Sequence, residues 1–432
     1  MKIVHFTNNL TDGAGKAVYR IHNGLIESGI DSIVLVAKKD FIDKSVKQIV
    51  PGYSNIDNPI INNIDLIKRG LNFISFIIKE IKWKLLLRKW SPLTLFNFNK
   101  SYFNINNIEK YIKDVDIICL YSIQSFISPK LIKQIYKLTK APIVWTPMDI
   151  EPLTGGCHFN NDCKKFYENC GFCPSLKSKS ENDISRKIFD EKKKYLYDLP
   201  ITFVAVSKWV EEWIKKSSLF NKNKTEIIFL GIDDNIFKKT KKQYAREILN
   251  LPSDKKLILF GCLNLDDKRK GGHLLLKSLT ELGSNVDDKN EIVLVTIGRK
   301  NNFRFDEQPF MNIHLGLIND DRVLSLLYNS VDIITIPSID DPGPLMASEA
   351  LMCKTPIVTF NSGIATEIIN DESLGYRSEN YNIESYAKGI LKYLNNNYDV
   401  NDNLSIYSKL TLKNQVQSYK KLFKNLMNKE IV

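Results

Sequence analysis

Residues 331–361, VDIITIPSIDDPGPLMASEALMCKTPIVTFN, read as a strand, a polar loop, a helix and a second strand. The apolar run Ile333 to Ile336 reads as a buried strand that ends in Pro-Ser. Asp340, Asp341 and Gly343 occupy the loop. The helix is expected to open at Pro344, where a first-turn proline gives up only an N–H that would have had no partner. Pro356 to Phe360 reads as the next strand. Units of this kind build parallel sheets, and open parallel sheets bind ligands beyond the carboxyl ends of their strands. Asp341 falls there. Glu349 follows it after seven intervening residues, in the second helical turn among Leu345, Met346, Ala350 and Leu351. Two readings of that acid are open at this point. One is a solvated or salt-bridged side chain, because Glu is seldom fully buried. The other is a pair of carboxylates that accept hydrogen bonds from the hydroxyls of a polyol ligand.

The rest of the chain bears on the choice. Its 432 residues exceed one ordinary core, which predicts two domains. With 43% hydrophobic and 25% charged residues the composition is globular. No apolar run has the length to span a bilayer, and MKIVHFTNNL starts as a short strand rather than a signal peptide. A cytoplasmic location is therefore expected. The net charge of +12 points to an anionic partner (nucleic acid, anionic lipid or phosphorylated substrate), an inference diluted by the abundance of Lys, Asn and Ile.

Read in order, Lys2 to Thr7 is a strand, and Asp12, Gly13, Ala14 and Gly15 lead into a helix with Val18, Ile21 and Leu25 at helical spacing. Backbone amides and a helix dipole make such a loop an anion site. The glycine spacing fits neither a Walker loop nor the dinucleotide fingerprint, and a plain strand-to-helix turn also favours glycine. From Asp65 to Trp90 seven Lys or Arg face two acids. Residues 66–90, with Phe73, Phe76, Trp83 and Trp90, have the composition of a helix lying on an anionic membrane surface; the alternative is a buried helix with a solvated basic edge. The segment MDIEPLTGGCHFNNDCKKFYENCGFCPSL holds Cys157, Cys163, Cys170 and Cys173, with His158 beside the first. In a reducing compartment four clustered thiols suit a structural zinc better than two disulfides, although only the last pair has ligand spacing; free thiols are the alternative. Cys119, Cys262 and Cys353 read as core residues. The cluster lacks a following recognition helix, and no other basic stripe is interleaved with aromatics, which argues against nucleic acid. A polar stretch near residue 220 marks the expected domain boundary. In the second half, Lys268, Arg269 and Lys270 precede Gly271 and a helix, an arrangement suited to a diphosphate. The last helix, near Leu412 to Leu426, carries Leu412, Val416, Tyr419 and Phe423 on one face and must pack on something.

With both halves placed, the order of motifs resembles the family 4 retaining glycosyltransferases. The resemblance is carried by DGAGKA, AVSKWV, FLGIDDNIF, DDKRKGG and above all DDPGPLMASEALMCKTPIV, in which Asp341 and Glu349 match the family's acid–seven–Glu signature. DIEPLTGGCHF…C…CGFCP is similar to a subgroup that builds bacterial surface polysaccharides, including colanic-acid-type pathways. The resemblance implies an α/β GT-B fold of two facing Rossmann-like domains with a deep interdomain cleft. Residues 1–219 would be the acceptor domain, with a basic insertion at 55–100 and the Cys-rich segment 157–173. Residues 220–404 would be the nucleotide-sugar domain, and 405–432 would pack back on the first. It further implies that Asp341 and the backbone at Gly343 hold the sugar, and that Glu349 binds the ribose. Lys270 with Arg269 would neutralise the departing diphosphate, approached from the first domain by Gly13 and Gly15. Loops at Gly298 and Leu317 would contact the base, and Asp149 with His158 would lie on the sugar or acceptor side. The activity implied is a metal-independent hexosyltransferase that needs no catalytic cofactor. Its partners would be a nucleotide-sugar and a lipid-linked or saccharide acceptor, at the inner face of the plasma membrane. A sugar-nucleotide epimerase or phosphorylase on the same fold is the alternative, with a basic nucleic-acid-binding protein a more distant one. Three positions depart from the pattern: Cys262 stands where the family often has Arg, Met148 where the subgroup usually has His, and Asp341 where the family's first acid is usually Glu.

Overall fold

The computed structural model describes residues 1–49, 95–99, 101, 103–160, 162–305, 307–395 and 404–428. The membrane-surface expectation for residues 66–90 lies outside the described residues. In β1 (Lys2–Thr7) the five consecutive residues from Ile3 to Thr7 are buried. A strand buried on both faces needs helices on both sides, which is the setting of a parallel sheet. Accordingly β1 pairs in parallel with β2 (Asp31–Val36) and β4 (Ile117–Leu120), Val4 facing Ile33 on one side and Ile118 on the other. With β3 (Val46–Gln48), β5 (Ile143–Trp145), β6 (Ile201–Ala205) and β7 (Thr225–Ile227) the order is β3-β2-β1-β4-β5-β6-β7.

The second sheet repeats the plan. It comprises β8 (Lys256–Asn264), β9 (Ile292–Arg299), β10 (Met311–His314), β11 (Ile333–Ile336), β12 (Ile357–Phe360) and β13 (Gly375–Ser378), in the order β10-β9-β8-β11-β12-β13. Strand order reverses at β1/β4 in one sheet and at β8/β11 in the other, and such switch points open crevices at strand carboxyl ends. The loops after β1, β8 and β11 carry the three motifs DGAG, KRKG and DDPG. Topology alone therefore gathers them.

Two boundaries differ from expectation. β7 pairs with β6, so the first domain runs past 219 and the chain leaves its sheet only after Ile227. The polar residues near 220 form a turn before a last strand instead of a linker. The C-terminal segment also divides. Ile406, Tyr407 and Leu410, on the helix Ser405–Leu410, lie in the second domain's core. The helix Leu412–Met427 crosses back, burying Val416, Tyr419, Leu422 and Phe423 against Val18, Ile21 and Leu25. Each such side chain contributes roughly 1.5–3 kcal/mol as an upper estimate. Gly24 permits the contact, since a Cβ there would stand 2.6 Å from Val416 Cγ2. The two interdomain crossings run side by side: Ile232 N–H donates to Leu410 O and Leu412 N–H to Ile232 O, both at 2.8 Å.

Candidate active site

The switch points face one another across a cleft of about 500 Å³. Gly13 lines it from the first domain; Arg269, Lys270, Gly298 and Leu317 line it from the second, as do Asp341, Gly343 and Glu349. The β8 and β11 loops are stitched together by the Ile339 N–H, which donates to Arg269 O at 2.8 Å. Only glycine allows this approach at position 271, where φ is +71° and a Cβ would lie 1.8 Å from Pro337 O. The result brings Lys270 Nζ into a hydrogen-bonded ion pair with Asp341 Oδ2. Asp341 Oδ1 accepts the Gly343 N–H at 3.2 Å. Arg269 is committed elsewhere: it pairs with Asp267 and lies 3.6 Å above the Phe159 ring, which reaches over from the first domain. Lys270 is therefore the cation of the triplet turned to the carboxylate, while Arg269 bridges the domains.

The helix after the DDPG loop spans Leu345–Met352, with Pro344 at its N-cap rather than inside it, and no side chain caps it. Leu345 and Met346 line the cleft at this uncapped end. First-turn amides have no intrahelical acceptor, so they are available to an anion. Sequence reasoning missed them because they are backbone groups. Glu349, 4% exposed, is neither solvated nor free. Its Oε1 accepts from Arg20 Nη2 at 2.7 Å and its Oε2 from the Tyr328 hydroxyl at 3.0 Å. Arg20 also pairs with Asp321 at 2.7 Å. Burial opposes its charge, yet the Glu349 and Asp321 carboxylates raise its pKa. Burial likewise works against ionised Asp321, but Arg20 and Lys16 outweigh it and hold that carboxyl below the ordinary value.

Gly15 does not reach the cleft. Asp12 caps the first helix by accepting the Gly15 N–H at 2.7 Å, and a Cβ at 15 would stand 2.5 Å from Asn9 O. Gly15 is there for close backbone packing, and Gly13 is the glycine with open space before it. At Cys262, burial pushes the thiol up to about 12, and Sγ donates to Asn264 O at 3.1 Å. It supplies none of the charge an arginine would bring. Asp340, next to Asp341, was placed in the loop by the sequence but given no role there. Burial pushes it up to about 7; Arg269 opposes this, and Asp341, Asp162 and Asp149 add to it.

Asp149 and His158 come together, Nδ1 to Oδ2 at 2.8 Å, one residue behind the cleft-lining Met148 and Phe159. Burial would lower the His158 pKa, but the Asp149 carboxylate raises it above its ordinary value. Their loop is anchored by a buried pair: Lys192 Nζ donates to Glu151 Oε1 at 2.7 Å and to Thr154 O at 3.0 Å. The four clustered cysteines are free. Cys157 and Cys170 are pushed up by burial and by neighbouring thiols, and Cys170 Sγ accepts the Gly155 N–H at 3.1 Å. Among the described residues no group of three or more His, Cys, Asp or Glu is set to hold a metal ion. The zinc expectation thus finds neighbouring thiols but no ligand set.

Two Rossmann-like sheets facing each other across a cleft at their switch points define the GT-B fold. A solved structure of this kind, Anabaena HepE in complex with UDP and glucose, matches with a TM-score of 0.62 at 13% identity, covering 98% of this chain and 100% of that one. Residues 241–411 match the family model described as glycosyl transferases group 1, so the second half of the molecule carries a glycosyltransferase group 1 domain. The uncharacterized glycosyltransferase MJ1607 of Methanocaldococcus jannaschii is 29% identical over 204 residues, 44% of this chain and 50% of that protein. The putative colanic acid biosynthesis glycosyl transferase WcaC of Escherichia coli K12 is 25% identical over 243 residues, 52% of this chain and 54% of that protein. The matched region spans about half the length of these two relatives.

Proposed function

We propose that this chain is a retaining glycosyltransferase that moves a sugar from a nucleotide-sugar to a lipid-linked or saccharide acceptor of a cell-surface polysaccharide. The observation that carries the reading is the joint placement of Lys270, Asp341, the uncapped helix end at Leu345 and Glu349 in one interdomain cleft. Loss of a nucleoside diphosphate develops negative charge, and preorganised cations and amides aimed at it lower the barrier. Lys270 and the Leu345 and Met346 amides supply that charge without a metal. Lys270 must turn from Asp341 to meet the diphosphate, and the turn frees Asp341 to accept hydrogen bonds from sugar hydroxyls. Glu349 keeps two unused acceptor sites for the ribose hydroxyls. The bond from the anomeric carbon to the diphosphate breaks and the bond to the acceptor oxygen forms on the same face, the acceptor proton passing to the departing phosphate. The colanic-acid relative supports the polysaccharide setting.

Thermal unfolding with UDP-, GDP-, ADP- and dTDP-sugars, followed by transfer assays in EDTA, tests this. One donor at 100 times its Kd stabilises by about 2.7 kcal/mol. NMR of the product should show the donor's anomeric configuration. Absence of stabilisation and of transfer with all four donor classes would overturn the proposal.

A further inference from the structure

Glu349 meets the cleft with one oxygen held by the opposite domain. Arg20 stands on the first-domain helix Gly13–Glu27, and its Nη2 bridges Glu349 Oε1 and Asp321 Oδ2, each at 2.7 Å. The side chain is 8% exposed, its guanidinium carbon lies 5.1 Å over the Phe237 ring, and Nη1 is buried without a hydrogen-bond partner among the described residues. One turn earlier, Lys16 donates to Asp321 Oδ1 at 2.8 Å and to Asn319 O at 2.7 Å. A polar network, buried at Arg20 and Glu349 and half-buried at Lys16 and Asp321, therefore crosses the domain interface, and Glu349 is the member of it that pairs with Arg20 and lines the cleft.

A glutamate has three rotatable bonds, and a carboxylate must be held within a fraction of an ångström to read a ligand. Tyr328, from the same domain, fixes one oxygen whether the cleft is open or closed. The second anchor comes from Arg20, and it exists only while the two domains are together. We propose that Arg20 is a positioning residue that orients Glu349 for the donor ribose only in the closed molecule, so that nucleotide recognition is coupled to cleft closure. The proposal rests on Glu349 being the ribose ligand. An ordinary interface ion pair would hold the domains together without affecting what Glu349 reads.

The two cases separate in the ratio of affinities for UDP and 2′-deoxyuridine diphosphate, ADP and its 2′-deoxy form, and GDP and its 2′-deoxy form. Calorimetric titration of the full chain gives this ratio for wild type, Glu349→Gln, Arg20→Lys, Arg20→Gln and the double variant. Wild type should favour the ribonucleotide by about tenfold, one well-placed hydrogen bond's worth. The ratio should fall near unity in Glu349→Gln and at least fivefold in Arg20→Gln, with the diphosphate still bound. Arg20→Lys should recover part of it, because an ammonium replaces one donor but not the fork. The double variant should be no worse than either single one. A wild-type ratio retained in Arg20→Gln, but lost in Glu349→Gln, overturns the positioning role and leaves the ribose reading standing. A ratio retained in Glu349→Gln, or absent in wild type, overturns both. If Arg20→Gln fails to fold, Arg20→Lys decides in its place: an unchanged ratio there overturns the proposal.

Discussion

At the scale of single residues the chemistry converges on Lys270. Its ammonium pairs with Asp341, so binding a diphosphate there exchanges one anionic partner for another. If Lys270 plays the proposed part, Lys270→Ala removes the cation that meets the departing diphosphate, and loss of one such group costs about 10²–10³ in kcat. The expected signature is a fall of that size with a smaller change in donor KM and an unaltered circular dichroism spectrum; wild-type kcat would refute the assignment. Lys270, Asp341 and Glu349 were legible in the sequence because strand-end loops and one helix face can be placed from apolar periodicity. Arg20 was not, since nothing local distinguishes it from a solvated charge. Its partners, Asp321 and Glu349, belong to another domain. The choice between Gly13 and Gly15 was equally hidden: spacing does not tell which glycine faces a ligand and which packs on Asn9.

At the scale of elements, a polar chain runs through the otherwise apolar packing of β1, β2 and the first helix. His5 Nε2 and His22 Nδ1 share the Ser32 hydroxyl at 3.0 and 2.7 Å, and His5 Nδ1 reaches the Tyr121 hydroxyl at 3.1 Å. His22 Nε2 continues to Ser45 at 2.9 Å. Burial pushes both imidazoles below their ordinary value; His22 falls to about 4, with Asp43 opposing, and His5 is lowered further by His22. A histidine held neutral in the fold takes up a proton on unfolding below about pH 6.5. Its contribution is therefore complete above that pH and is lost as the pH falls towards 4. For His22 the loss is about 2–3 kcal/mol between pH 7.5 and 4.5. Asp340, pushed up to about 7, acts in the opposite sense across part of that window, so the readout is the difference between wild type and His22→Gln. In denaturant titrations the destabilisation by His22→Gln should shrink by that amount on acidification; a constant difference would exclude the mechanism. Strands of this kind were readable as continuous apolar runs. The polar residues near 220 misled because a turn inside a domain and a linker between domains have the same composition.

At the scale of the molecule, the two domains meet through the Arg20 network, the Phe159–Arg269 stack and paired crossings at Ile232 and Thr411, with the helix Leu412–Met427 returning to the first domain. Among the described residues no helix is long and apolar enough to cross a membrane. In the proposed reaction a lipid-linked acceptor is met at a membrane surface, and the stretch with the composition for it is residues 66–90. Seven Lys or Arg against two acids, with Trp83 and Trp90 among them, suit an anionic headgroup layer. Each basic residue near such a surface contributes about 1 kcal/mol, and that contribution is screened by salt. Flotation with vesicles containing phosphatidylserine should carry the protein upward at low salt and less so at high salt, whereas neutral phosphatidylcholine vesicles should carry little. Trp83→Glu combined with Lys84→Glu removes one cation and one aromatic side chain and adds two acids, so partitioning should fall at least about tenfold. Transfer to a water-soluble acceptor is the control and should be unchanged, because the two substitutions leave Lys270, Asp341 and Glu349 intact. Equal flotation of the variant and the wild type would remove the membrane role and leave the +12 charge to be explained by the anionic donor and by composition.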